Sequence, residues 1–199
     1  MGNIRQNNQT KEPKENIQTS PNTEVSSGEY FFSLLPDLPA DFIDKLNHPS
    51  FKDVSPDIHF PLHATLYYLG KLLPDDLRLA MDWLNDKKAL QSPIRAKVNS
   101  VSSFKKNGED FVYLLDLYSE EIDTLNKELF RKFSHIRKDD FAFRAHMTLF
   151  YPTKKITQSQ RKRLYSLFSD ISEITFNQLA IGSVFNEKIE IKHLLDLNK

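Results

Sequence analysis

Two short stretches carry the residues best suited to chemistry: His63-Ala64-Thr65-Leu66-Tyr67-Tyr68 and His146-Met147-Thr148-Leu149-Phe150-Tyr151. Each reads His, apolar, Thr, Leu, aromatic, Tyr inside an apolar run that predicts a β-strand. Side chains alternate along a strand, so His63, Thr65 and Tyr67 are expected on one face, as are His146, Thr148 and Phe150. An imidazole titrates near neutral pH and serves as acid or base, and two together form an acid–base pair. Threonine hydroxyls beside them can donate to non-bridging phosphate oxygens as charge develops. One His-x-Thr alone is most simply a hydrogen-bonded structural histidine. Two copies among only six histidines point to a paired site.

The same composition excludes other chemistries. With no cysteine there is no disulfide, thiolate nucleophile or zinc–thiolate site, and a cytoplasmic location is expected. Carboxylate or further His ligands are missing at useful spacing around both motifs, so neither a metal nor a cofactor is expected. The five glycines are scattered, which excludes a Gly-rich phosphate loop. No apolar run approaches the roughly 20 residues of a membrane span, so no membrane partner is expected. The formal charge is zero, yet basic residues crowd between Arg131 and Arg163, where only Asp139 and Asp140 oppose them. That imbalance suits an RNA end or small nucleotide substrate better than a long duplex. A monomer is expected.

The 199 residues fit one domain after a tail. Residues 1–28 are polar, lack aromatic residues and Leu, and predict a disordered N-terminal tail. They hold no secretory h-region, and Gln6 departs from the myristoylation pattern that Gly2 would open. Residues 29–199 form the folded domain. Tyr30–Leu35 reads as a strand, followed by a short helix near Ala40–Leu46. Pro74 with Asp75 and Asp76 opens a helix carrying Leu77, Ala80, Met81 and Leu84. Ile94–Phe104 and Phe111–Leu117 flank Asn107-Gly108, a hairpin signal. Ile122 to Phe133 marks a second long helix, and the second motif strand is expected from Phe143 to Tyr151. Thr157–Gln160 is a capping box ahead of a helix with Leu164, Leu167 and Phe168. Ile174–Val184 and Ile189–Leu195 close the chain as a hairpin. The class is α+β, largely antiparallel.

This arrangement resembles the two-histidine (2H) phosphoesterase superfamily, which includes 2′-5′ RNA ligase-like proteins, RNA cyclic phosphodiesterases and viral 2′,5′- or cyclic-oligonucleotide phosphodiesterases. The resemblance covers nearly all of residues 29–199. It implies two pseudo-symmetric, largely antiparallel β-sheet lobes around a central cleft, with helices packed outside. It implies catalytic roles for His63 and His146 and phosphate binding by Thr65 and Thr148. The implied reaction is hydrolysis of a 2′,3′-cyclic phosphate or a 2′-5′ or cyclic oligonucleotide bond, His146 activating water and His63 protonating the leaving oxygen. Tyr67 and Tyr68 replace a small residue and Phe in the RNA ligase-like branch, and Tyr151 stands where that branch often has Arg. Strand parity brings Arg144 to the face of His146 as a substitute phosphate contact, and Tyr67 and Phe150 to the cleft as base-stacking platforms. Substrate-binding residues are thus Tyr67, Arg144, Phe150 and Tyr151. A non-catalytic nucleotide-binding module and a tethered interaction protein are the alternatives, and loops 47–61 and 104–110 are expected to shape the rim.

Overall fold

The computed structural model describes residues 28–55, 61–90, 92–136, 142–186 and 188–197. The predicted tail through residue 27, part of the 47–61 loop and the charged run at 137–141 lie outside them. Among the described residues seven strands are joined by helices: β1 (Glu29–Asp37), α1 (Phe42–Leu46), β2 (Ala64–Lys71), α2 (Pro74–Asp86), β3 (Ile94–Lys106), β4 (Glu109–Tyr118), α3 (Glu120–Phe133), β5 (His146–Phe150), α4 (Gln158–Phe168), β6 (Glu173–Phe185) and β7 (Lys188–Asp196). Pro74 occupies the first turn of α2 beside Asp75 and Asp76. Thr157 and Gln160 cap α4 reciprocally, satisfying donors that the first helical turn leaves over. Asn107 and Gly108 take positive φ at the β3–β4 turn, as a tight hairpin demands.

The strands are ordered β1-β2-β5-β4-β3-β6-β7, and β1 also pairs with β6, so six of them close into a ring. All pairings are antiparallel. Two lobes stand out within this ring. One is β7-β6-β1-β2, and the other is β3-β4-β5. They meet where Ile94–Lys97 pair with Glu173–Phe176, and at a single pair, Ala64 with Met147. Each lobe therefore presents its motif strand at the seam.

So narrow a ladder is braced by packing from the outer side. Phe32 of β1 meets Trp83 of α2 edge-on at 4.8 Å and Phe133 of α3 at 5.4 Å. Under the other lobe, Phe150 lies 5.9 Å from Phe51 and stacks on Tyr113 at 5.4 Å. α3 follows the second lobe's β4 yet packs beneath the first lobe's strands, while Phe51 comes from the first half and packs beneath the second. Burial of these large rings, at about 25 cal/mol per Å² of apolar surface, holds the lobes together where hydrogen bonds are few.

The register corrects strict alternation within both motifs. Ser33 pairs with Thr65 but Phe32 pairs with Tyr67, which leaves Leu66 as an extra residue. In β5, Leu114 pairs with Thr148 but Tyr113 pairs with Phe150, leaving Leu149 extra. A one-residue bulge shifts every later side chain to the other face. Tyr67 (4% exposed) and Phe150 (1% exposed) consequently turn into the core with the leucines before them. β5 is also shorter than predicted: residues 142–145 approach it without strand pairing.

Candidate active site

His63 sits immediately before β2, and His146 opens β5. Because Ala64 pairs with Met147 in antiparallel register, Thr65 comes beside His146 and His63 beside Thr148. Each threonine thus neighbours the other motif's histidine, around an approximate twofold axis through the Ala64–Met147 pair. Ala64 and Met147 are buried, which leaves both His and Thr pairs on the opposite face, the cleft side.

The imidazoles are held identically. His63 Nδ1 lies 2.8 Å from the Pro61 carbonyl oxygen, and His146 Nδ1 lies 2.7 Å from that of Arg144. A carbonyl only accepts, so Nδ1 carries the hydrogen in each ring. Nε2 is left as the free base of the neutral imidazole and the acidic N–H of the charged one. Burial lowers both pKa values from the ordinary 6.5, outweighing carbonyl bonds that raise them. The charge of His146 lowers His63 further, so the two rings feel one another across the cleft.

Their surroundings differ. Phe31, 2% exposed, stacks on the His63 ring with centroids 5.1 Å apart. Behind Phe31 lies Gly182, where an added Cβ would come within 2.4 Å of the Phe31 ring tip. His146 instead meets the edge of Phe104 at 4.9 Å, and Asp116 pairs with it across the strand. Arg144 donates from Nε to Asp116 at 2.7 Å and from Nη2 to Ser102 at 3.0 Å, with its guanidinium 5.5 Å over the Phe104 ring. Arg144 also lowers the His146 pKa, and Asp116 raises it by less.

A cavity of about 1270 Å³ opens beside this seam, taking in Thr65 and His146. Arg144 lines it, as parity predicts, together with Lys105, Lys127 and Arg131. Its aromatic walls are Phe104, Phe111, Phe130 and Phe143, of which Phe111 and Phe130 remain largely exposed. Tyr67 borders the cavity but is buried edge-on against Phe130, so it offers no open face to a base. Phe150 is committed to the core. Beyond the Leu66 bulge it is Tyr68 that returns to the cleft side, pairing with Phe31 and donating to Glu29. Tyr151 follows the end of β5 and is 52% exposed.

The residues missed from sequence are Phe31, Gly182, Phe104, Ser102 and Asp116. Each reaches the site through strand pairing distant in sequence. Among the described residues no three His, Asp or Glu side chains gather as a metal-ligand set.

No family model and no curated protein matches the sequence. Solved structures do match the fold. The protein TT0787 of Thermus thermophilus superposes with a TM-score of 0.61 at 17% identity, over 85% of this chain and 98% of that one. A phosphoesterase gives 0.59 at 15% identity, over 86% and 99%. E. coli LigT complexed with phosphate gives 0.56 at 16% identity, over 87% and 100%, and LigT is also solved with 3′-AMP, with ATP and with NADP+.

Proposed function

We propose that this chain, which has the fold of the two-histidine phosphoesterases, is a metal-independent phosphodiesterase that hydrolyses a 2′,3′-cyclic phosphate or a 2′-5′ or cyclic oligonucleotide linkage. The observation that carries this reading is the pair of matched half-sites. Two imidazoles are anchored through Nδ1, which leaves Nε2 for chemistry, and the Ala64–Met147 pairing sets each beside the other motif's threonine. That LigT and a phosphoesterase share the fold, and that LigT binds phosphate and nucleotides, supports it.

The two environments suggest the division of labour. Burial and the Arg144 charge keep His146 neutral, so its Nε2 lone pair takes a proton from water. The water oxygen bonds to phosphorus, and the phosphorus bond to the leaving ribose oxygen breaks. His63, protonated once an anionic phosphate enters, gives its Nε2 proton to that oxygen. Thr65 and Thr148 donate to the non-bridging oxygens as charge builds. The products are a phosphomonoester and a free ribose hydroxyl, and the histidines exchange their proton through solvent.

The test is incubation with cyclic-phosphate RNA ends, 2′-5′ oligonucleotides and cyclic dinucleotides, with products read by mass spectrometry, in the presence and absence of chelator. Turnover that survives chelation and disappears in His63→Ala and His146→Ala is the expected result. Tight binding with no product from any substrate makes the protein a nucleotide-sequestering module instead.

A further inference from the structure

A second cavity, of about 560 Å³, lies at the tip of the β3–β4 hairpin, against the start of α4 and residues 152–156. Tyr113 lines it and points away from the cleft face, so the hairpin separates it from the first cavity. Lys105 and Phe111 border both. Five cationic side chains, Lys105, Lys106, Lys154, Lys155 and Arg161, surround it against Glu109 and Asp110.

The two carboxylates do not neutralise this field. Asp110 is engaged within the protein, accepting from Ser103 at 2.7 Å, from Tyr113 at 2.9 Å and from Arg161. Burial pushes its carboxyl up, but these partners pull it below its usual range, so it stays charged and tied to Arg161. Lys155 reaches Glu109 only at 3.9 Å, and Lys154 reaches Asp53 only at 4.0 Å, both between exposed groups and weak. The Nε–H of Arg161 is buried and donates to nothing among the described residues.

We propose that this cavity is a second phosphate site and that it takes a phosphodiester upstream of the cleaved one, in a single-stranded oligonucleotide that crosses the hairpin over Lys105 and Phe111. The inference rests on the phosphodiesterase reading for the end held at the histidines. Phe111, 42% exposed between the two cavities, offers a face on which a base can stack. A single strand bends over such a tip, whereas a duplex with a persistence length of about 150 bp does not.

The experiment measures fluorescence anisotropy with labelled single-stranded RNAs of about 2 and about 8 nucleotides, each ending in an uncleavable 3′-phosphate. The wild-type protein is expected to bind the longer RNA at least about tenfold tighter. Lys154→Glu/Lys155→Glu should lose about tenfold on the longer RNA alone, and Lys154→Ala/Lys155→Ala should show the same selectivity. With about 0.7 per phosphate contact, loss of this one contact should make the slope of log affinity against log salt shallower by about 0.7. Equal affinity for both lengths, or an equal loss on both, overturns the proposal. Length-dependent binding without hydrolysis of any substrate would sink the catalytic reading and leave this site standing. Hydrolysis with no length dependence does the reverse.

Discussion

The two half-sites share a backbone plan and differ in what surrounds the imidazole. His63 lies against a buried phenylalanine, and burial is the first cause that lowers its pKa. His146 lies between a guanidinium and a carboxylate, beside the larger cavity. In the proposed mechanism duplicated geometry supplies two equivalent Nε2 atoms, and entry of an anionic phosphate lets one ring charge while the other stays neutral. An acid–base pair requires both: the same reach and different charge states.

The largest effects should come from breaking either half. His63→Ala and His146→Ala are each expected to lower kcat by about 10²- to 10⁴-fold, the usual worth of a general acid or base. Exogenous imidazole should restore part of the activity in the more open His146→Ala site and less in the Phe31-covered His63→Ala site. Equal rescue would show that the difference in surroundings has no functional weight.

The next test sets core against cleft. Phe150→Ala should destabilise the fold by about 3–5 kcal/mol in denaturant unfolding, because a fully buried ring is lost between Phe51 and Tyr113. KM on the folded fraction should hardly change. A large rise in KM with little loss of stability would return Phe150 to the substrate and contradict the β5 register.

Gly182→Ala probes the apolar half alone. A methyl 2.4 Å from the Phe31 ring tip must displace the ring that stacks on His63, and overpacking of this kind costs about 1–3 kcal/mol. We expect kcat to fall about tenfold with KM little changed, and Phe31→Leu in the same chain to restore part of it. Lost stability with undiminished kcat would mean that the Phe31 stack does not position His63.

The smallest expected change is electrostatic. Arg144→Met removes the positive charge that lowers His146 and leaves Asp116, which raises it. The His146 pKa should rise, so the acidic limb of the kcat/KM profile should move to higher pH. An unmoved limb would mean that Arg144 serves the substrate and not the histidine.

Much of this was legible in the chain. The His-x-Thr pairs, the Asn107-Gly108 turn, the Pro74 start and the Thr157–Gln160 cap are local signals, and local signals survive into the fold. Strand parity succeeded up to the threonine of each motif and placed Arg144 on the correct face. It failed at the next residue, where one extra leucine in each strand reverses the alternation. The cue was present as a leucine followed by an aromatic, two large apolar residues in a row where one of them would have faced the cleft. Gly182 behind Phe31, and Asp116 beside His146, could not be read because strand register joins them, and register depends on the whole sheet.

One profile tests the pairing most directly: kcat/KM against pH for the wild type and for each histidine variant. Burial lowers both imidazole pKa values, so the wild-type curve should be a bell with its alkaline limb below pH 6.5. The limb set by neutral His146 should vanish in His146→Ala, and the limb set by protonated His63 should vanish in His63→Ala. A bell that persists in both variants would place the acid and the base elsewhere and contradict the account.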